Sequence, residues 1–213
     1  MSPAKKRRKV LITAGPTREH VDPVRYLSNE SSGKMGFEIA RAAVERGDRV
    51  TLVCGPVNLE TPKGVKRIDV LSARDMLKAV REEFRDADML IMAAAVADWR
   101  PARKLAGKWR KKDQKTEVAS LDLVRNPDIL QTVAQRKGDR LVVGFALETS
   151  DGLRRALAKL KRKNADYVVL NDDSVLGSDR ATVTILGKDG SEVRLENKAK
   201  RAVAKALVAL EQG

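Results

Sequence analysis

Apolar positions in this chain fall into short blocks whose spacing changes from near-continuous to helical and back. Residues 9–15, Lys9-Val10-Leu11-Ile12-Thr13-Ala14-Gly15, are almost unbroken apolar sequence ending in a glycine turn, the pattern of a strand covered on both faces in a parallel sheet. From 34 to 46 the apolar residues Met35, Phe37, Ile39, Ala40, Ala43 and Val44 recur at helical spacing and Gly47-Asp48 closes the run. The alternation continues with a strand over 49–54, a loop holding Pro62 and Gly64, and a strand over 65–71. Ser72-Ala73-Arg74-Asp75 resembles a capping box with Asp in place of Glu, and the helix it opens turns Met76, Leu77, Val80 and Phe84 inward. Residues 88–95 form a nearly all-apolar strand.

Asn126-Pro127-Asp128 predicts a helix to about Arg136, with Asn126 as its cap and Pro127 at the first helical position. A strand over 141–147 follows. The next helix sets Leu153, Ala156, Leu157 and Leu160 on one side, with Arg154, Arg155, Lys159, Lys161, Arg162 and Lys163 largely on a solvated face. Residues 167–170 make one more strand. Segments 182–186 and 192–195 flank Gly187-Lys188-Asp189-Gly190 as a hairpin, and a helix over 197–213 turns Val203, Leu207 and Leu210 inward. The succession predicts an α/β fold: an open, mostly parallel, Rossmann-like three-layer sheet with a C-terminal antiparallel hairpin addition. No internal repeat is present.

A chain of 213 residues buries a full core as one domain, taken as 9–213 behind a basic flexible tail at 1–8. The tail's Pro3-Ala4-Lys5-Lys6-Arg7-Arg8-Lys9 looks like a nuclear import signal, but a solubilising tail explains it equally well. No apolar run approaches the roughly 18 residues of a membrane span, and the expectation is a soluble, cytoplasmic protein with no membrane partner. The single cysteine, Cys54, excludes an internal disulfide framework and is read as a small buried residue. His20, the only histidine, is read as a surface loop residue, and no Ser-His triad can be built without it.

Charge changes the picture. Lys and Arg number 43 against 29 Asp and Glu, a net +14 that favours polyanionic partners. The cations cluster at 5–9, 104–115 and 154–163. Aromatic residues are 3% of the chain, too few for single-strand stacking platforms, so a basic nucleic-acid-binding module is the weaker alternative and no specific nucleic acid is expected. Residues 104–115 carry six cations against one anion, with Gly107 as a candidate hinge, and read as a mobile loop closing over an anionic ligand.

The candidate chemistry centres on Arg25-Tyr26-Leu27-Ser28-Asn29-Glu30-Ser31-Ser32-Gly33-Lys34-Met35-Gly36, which leads into the first long helix. A Ser-Ser-Gly turn beside a Lys at a helix start suits a phosphate or carboxylate. It matches neither the G-x-G-x-x-G fingerprint nor the P-loop. Gly15-Pro16-Thr17-Arg18 should lie at the carboxyl edge of the sheet, where such folds bind ligands, and the strand over 88–95 delivers Asp98 there, as a metal or ribose ligand or as a turn cap.

Five separated stretches together carry a resemblance: Gly15-Pro16-Thr17-Arg18, the Ser28-to-Gly36 turn, Ala93-Ala94-Ala95-Val96-Ala97-Asp98, the cluster around Lys108, and Asn126-Pro127-Asp128 with Val143-Gly144-Phe145-Ala146. They resemble the bacterial phosphopantothenate–cysteine ligases from about Lys9 to the C-terminus. The resemblance implies a ligase of coenzyme A biosynthesis. CTP converts the carboxylate of 4'-phosphopantothenate to an acyl-cytidylate, releasing pyrophosphate, and the amine of L-cysteine then displaces CMP. It implies Mg2+ (or Mn2+), a homodimer, and no flavin.

Carried over by position, Asn29 and Lys108 are the catalytic residues, Asn29 at the activated carbonyl and Lys108 at the triphosphate. Arg25 holds pantothenate, with Asn29, Ala94 and Asp98 on the same substrate. Met92, Ala93 and Ala94 line the nucleotide with small groups and backbone donors. Asp98 takes the ribose or the cation. Gly15, Thr17, Ser31, Ser32 and Gly33 belong to the phosphate side; Pro127, Asp128, Ile129 and Leu130 bring up a helix start, Phe145 packs beside the base, and Lys159 and Lys163 complete the nucleotide site. Two departures stand out. The family's Lys-x-Lys-Lys loop reads Lys108-Trp109-Arg110-Lys111 here, and Arg is not a neutral replacement for Lys. The flavin-dependent decarboxylase to which the ligase is fused in many bacteria is absent from this sequence, so a decarboxylase is a candidate partner or fused domain. A competing NAD(P)-dependent oxidoreductase lacks the three-glycine fingerprint, and neither tyrosine is followed by a lysine four residues on.

Overall fold

A computed structural model describes residues 7–110, 117–147, 151–171 and 179–211. The chain order is β1 (Lys9–Ala14), β2 (Arg18–His20), β3 (Tyr26–Ser28), α1 (Lys34–Glu45), β4 (Arg49–Cys54), β5 (Val65–Asp69), α2 (Ala73–Glu83), β6 (Met89–Met92) and β7 (Trp99–Pro101). Then follow β8 (Leu123–Arg125), α3 (Ile129–Ala134), β9 (Leu141–Leu147), α4 (Gly152–Lys163), β10 (Tyr167–Asn171), β11 (Arg180–Gly187), β12 (Glu192–Ala199) and α5 (Lys200–Val208).

Eight strands form one sheet in the order β12-β11-β10-β9-β6-β1-β4-β5. All neighbours from β5 to β10 are parallel, and β11 and β12 add antiparallel. The alternation of β1 serves two cores. Val10, Ile12 and Ala14 pack with α1 and α5 on one face, and Leu11 packs with α2, α3 and α4 on the other. This is the three-layer α/β fold expected of the sequence. The chain leaves β1 toward β4 and β5, then returns to β6 on the other side of β1, so the strand order reverses at β1. Ligands of open α/β sheets bind outside the carboxyl ends at such a reversal. Among the described residues, no helix is long and apolar enough to cross a membrane.

Ser72 and Asp75 form the expected capping box at α2, with Asp75 N donating to Ser72 Oγ at 3.2 Å and Ser72 N donating to Asp75 Oδ2 at 3.0 Å. Several boundaries differ from expectation for local reasons. The strand over 65–71 ends at Asp69, and that over 88–95 pairs regularly only through Met92, with one further bridge between Pro16 and Ala95. The last helix starts at Lys200, because residues 197–199 extend β12. His20 is not a loop residue: it pairs with Tyr26 in the β2–β3 ribbon, its ring centroid 5.5 Å from that of Tyr26. Residues 1–6 of the expected tail lie outside the described residues. Arg8, also assigned to the tail, is docked instead: its Nη1 donates to Leu210 O at 2.9 Å, and its backbone N–H donates to Asp48 Oδ1 at 3.0 Å. Cys54 is buried, as expected.

Candidate active site

Beyond the carboxyl ends of β6 and β9 lies a cavity of about 890 Å3, walled by α3 and α4. Its lining comes from four separated stretches: Met92, Ala94 and Asp98 after β6; Pro127, Asp128, Ile129 and Leu130 at the start of α3; Phe145 on β9; and Lys159 and Lys163 on α4. Ten residues that the resemblance assigns to the nucleotide thus share one cavity. Three further cations line it that sequence reasoning did not single out, Arg125, Arg155 and Arg162. The signal for two of them was present, since Arg155, Lys159, Arg162 and Lys163 follow the 4-3-1 spacing of one helix face.

That face corrects the expectation of an ordinary solvated one. Lys159 Nζ donates to Phe145 O at 2.6 Å. The Lys163 ammonium donates to the Asp128 carboxylate and to Gln131 Oε1 at 3.4 Å, and the residue is only 8% exposed. Burial pushes the Lys163 pKa down, opposed by the negative charge of Asp98. The end of α4 is fixed by Asn164, in the left-handed region at φ 54°, whose Nδ2 donates to Ala134 O at 3.0 Å and so ties α4 to α3.

The start of α3 also differs from expectation. Asp128, not Asn126, is the cap, accepting from Gln131 N at 2.9 Å, and Pro127 lies before the helix. Asn126 is claimed by a tertiary contact: its backbone N–H donates to Asp98 O and its Nδ2 to Ala97 O, each at 2.8 Å. Pro127 follows a residue committed to the 94–98 loop, and the helix starts one step later. Asp128 therefore receives a helix N–H on one oxygen and the Lys163 ammonium on the other.

The 94–98 loop is braced from below. Ala94 N donates to Thr13 Oγ1 at 3.1 Å, Ala97 N donates to Thr17 Oγ1 at 3.0 Å, and Thr17 N donates to Ala95 O at 3.2 Å. The Ala94 donor expected to face the nucleotide is thus already used, and the fully buried Thr17 supports the loop instead of lining the cavity. On the far side of the same loop, Asn29 Nδ2 donates to Ala95 O at 3.2 Å. Asn29 and the cavity are therefore neighbours across one stretch of backbone.

Gly15 and Gly33 both have left-handed φ, 73° and 75°, and a Cβ on Gly33 would stand 3.4 Å from the Cα of Gly15. The left-handed backbone at both positions favours glycine, and the two turns pack against each other. Gly33 is the cap residue of α1 and has no side chain with which to cap it, so the helix start is met only by long bonds to the two serines before it. Ser31 Oγ accepts from Gly33 N at 3.4 Å and Ser32 Oγ accepts from Lys34 N at 3.5 Å. Gly15, Thr17, Ser31, Ser32, Gly33 and Ala93 do not line the cavity.

Arg25 and Lys108 also stand apart from the cavity lining. Arg25 is bridged to Asp22, with Nη2 2.8 Å from Asp22 Oδ2. Lys108 is exposed and precedes Trp109, whose backbone N–H donates to the same Asp22 oxygen at 3.0 Å. Lys111, and with it half of the expected basic loop, lies outside the described residues.

As for a metal, no cluster of three or more His, Cys, Asp or Glu is present among the described residues. The cavity offers Asp98 and Asp128, and Asp128 is already paired with Lys163. Mg2+ commonly takes one or two carboxylates together with phosphate oxygens of a substrate. Asp98 fits that donor set and does not fit a resident, all-protein site.

The sequence profile of the DNA/pantothenate metabolism flavoprotein C-terminal domain matches residues 5–211. The chain belongs to this family. It is 46% identical over 208 residues to the coenzyme A biosynthesis bifunctional protein CoaBC of Vibrio cholerae, covering 95% of this chain and 52% of that one. The chain thus spans about half the length of the curated relatives it matches. Among solved structures, the C-terminal domain of a CoaBC superposes with a TM-score of 0.83 at 40% identity, over 97% of this chain and 95% of that one. Cab2, solved in complex with phosphopantothenate-cysteine, superposes at 0.77 over 95% and 85% of the two chains, and at 18% identity speaks for the fold alone. The family member's cavity is therefore built on the fold of the CoaBC C-terminal domain.

Proposed function

We propose that the chain is a phosphopantothenate–cysteine ligase, forming the amide between 4'-phosphopantothenate and L-cysteine at the expense of CTP in coenzyme A biosynthesis. The observation that carries this reading is the cation-lined cavity beyond the carboxyl ends of β6 and β9, separated from Asn29 by one stretch of backbone. Family membership supports the same pathway.

A free carboxylate is a poor electrophile because it has no acceptable leaving group. Its oxygen attacks the α-phosphorus of CTP, the bond to pyrophosphate breaks, and an acyl-cytidylate results. The cysteine amine then adds to the acyl carbon, the C–O bond to CMP breaks, and the amine loses a proton. Arg125, Arg155, Lys159, Arg162 and Lys163 supply the positive field in which the triphosphate sits and pyrophosphate charge develops. Met92, Ala94 and Phe145 offer an apolar wall to the base, and Asp98 stands where a ribose hydroxyl or a phosphate-bound cation can be met. Mg2+ (or Mn2+), when bound with the triphosphate, offsets its charge. Asn29, beside the Ala95 carbonyl, orients the acyl group for the amine, with Arg25 holding the pantothenate arm. Lys108 meets the triphosphate from the neighbouring loop. No oxidation state changes in either half-reaction, so the chemistry uses no flavin. We further propose a homodimer, supported by the exposed Trp99, Leu123 and Val124 on the β7–β8 ribbon, and a cytoplasmic enzyme, where CTP is available.

The test is pyrophosphate release from phosphopantothenate with CTP, ATP, GTP or UTP, with and without cysteine. Release with CTP before cysteine is added, and amide product only afterwards, is the expected result. Equal release with all four nucleotides overturns the choice of CTP, and no release with any overturns the ligase.

A further inference from the structure

Among the described residues, the most heavily bonded buried charge outside the cavity is Asp22, fully buried in the turn between β2 and β3. Its Oδ1 accepts from Val24 N at 2.7 Å and Arg25 N at 2.8 Å, an ordinary Asx-type turn. Its Oδ2 does something a turn does not require. It accepts from Arg25 Nε at 3.0 Å and from Trp109 N at 3.0 Å, and it lies 2.8 Å from Arg25 Nη2. Arg25 Nη2 also donates to Trp109 O, closing a ring of three residues from segments 87 positions apart. The guanidinium stands 6.0 Å over the Trp109 ring, and Leu105 N donates to Val21 O at 2.8 Å, so the whole stretch before Lys108 is pinned to this turn.

We propose that Asp22 is a positioning residue for the acyl side of the site: its Oδ2 fixes the guanidinium of Arg25 and the backbone beside Lys108 in one arrangement. The proposal rests on the ligase reading above. Arg25 is half exposed, and holding a long side chain at the surface gains little stability against its lost rotamer freedom. Burying a carboxylate to do so is expensive unless every lone pair is used. The gain lies in preorganisation: with Nε and Nη2 committed to Asp22, Nη1 is the nitrogen left to meet a substrate oxygen, and its direction is set before substrate arrives.

Asp22→Asn separates the two roles, because the amide oxygen can keep the Val24 and Arg25 N–H bonds while the NH2 group opposes the donors of Arg25 and Trp109. The expected result is a rise of about 10-fold in KM for phosphopantothenate with KM for CTP within about twofold. In an Arg25→Ala background the same substitution should add less than about twofold, as coupled residues are not additive. A second readout does not depend on activity. In a Trp99→Phe protein Trp109 is the sole tryptophan, and Asp22→Asn should shift its emission to the red and raise its quenching by acrylamide. If wild type releases no pyrophosphate, the ligase reading fails and the fluorescence alone decides the clamp. Unchanged Trp109 fluorescence, equal rises in both KM values, or full additivity with Arg25→Ala each overturn the proposal. Should Asp22→Asn not fold, Trp109→Pro removes the same N–H from the other side and is expected to raise the same KM; no rise would count against the clamp.

Discussion

Lys163 reaches from the last turn of α4 to the carboxylate of Asp128, the residue that caps α3, so one ion pair joins two walls of the cavity. The two partners are not equivalent. Removing Lys163 leaves Asp128 partly exposed and still capping; removing Asp128 leaves a buried ammonium without its anion and a helix without its cap. Asp128→Ala should therefore cost about 2 kcal/mol, and Lys163→Met about 1 kcal/mol or less, in urea unfolding. Both should weaken CTP binding, measured by titration calorimetry, by about 10-fold.

Asn29→Asp replaces the amide that donates to Ala95 O with a carboxylate that cannot. The expected outcome is slowed amide formation with the acyl-cytidylate accumulating, seen by rapid quench with labelled CTP. A normal ratio of CMP to pyrophosphate at early times would remove Asn29 from the second half-reaction.

Lys108 is exposed and makes no ion pair with a described residue, so Lys108→Ala should leave the unfolding free energy within about 0.5 kcal/mol of wild type. Turnover is expected to fall about 100-fold. Full activity would move the triphosphate contact entirely to the α4 cations.

Gly144 on β9 underlies Leu130, and a Cβ there would stand 2.6 Å from Leu130 Cδ2. Leu130 belongs to a closely packed core and lines the cavity, so it cannot give way freely. Gly144→Ala should destabilise by about 1–3 kcal/mol and reduce CTP affinity together, because the methyl group pushes α3 into the nucleotide space. Thermal melts with and without CTP measure both.

The pH limits have opposite signs. Burial pushes the Cys54 thiol up to about 11, above its unfolded value near 9, so the folded state holds the proton more tightly and stability falls as pH rises from about 9 through 11. The Trp109 N–H, against the opposing effect of burial, holds the Asp22 carboxyl well below the usual range, with the Val24 and Arg25 N–H groups adding to it. That contribution is present above the unfolded value of about 3.9 and is lost as pH falls toward the folded one. Urea midpoints from pH 2 to 11 should fall at both ends, and Cys54→Ala should flatten the alkaline limb while Asp22→Asn flattens the acid one.

The sheet was legible in the sequence because its inner strands are covered on both faces, and β1, β6 and β9 read as near-continuous apolar runs. The ribbons β2–β3 and β7–β8 were not, since three-residue strands carry no measurable period. Asn126 and Asp128 were equally good caps by residue type, and the choice between them was made by Ala97 O, far away in sequence. Lys159 and Lys163 came into view through the resemblance, whereas helix periodicity alone set them on a solvated face. Asp22 offered no signal at all beyond an Asp-Pro turn, because its importance lies in a partner 87 positions on.

The Ala95 carbonyl accepts Thr17 N from β1's side and Asn29 Nδ2 from the other, while its neighbours Ala94 and Val96 face the cavity. The carbonyl that holds Asn29 and the residues that face the cavity are thereby spaced by covalent geometry, about one 3.8 Å peptide step along the chain. A shift of this one carbonyl would therefore move Asn29 and the cavity wall together.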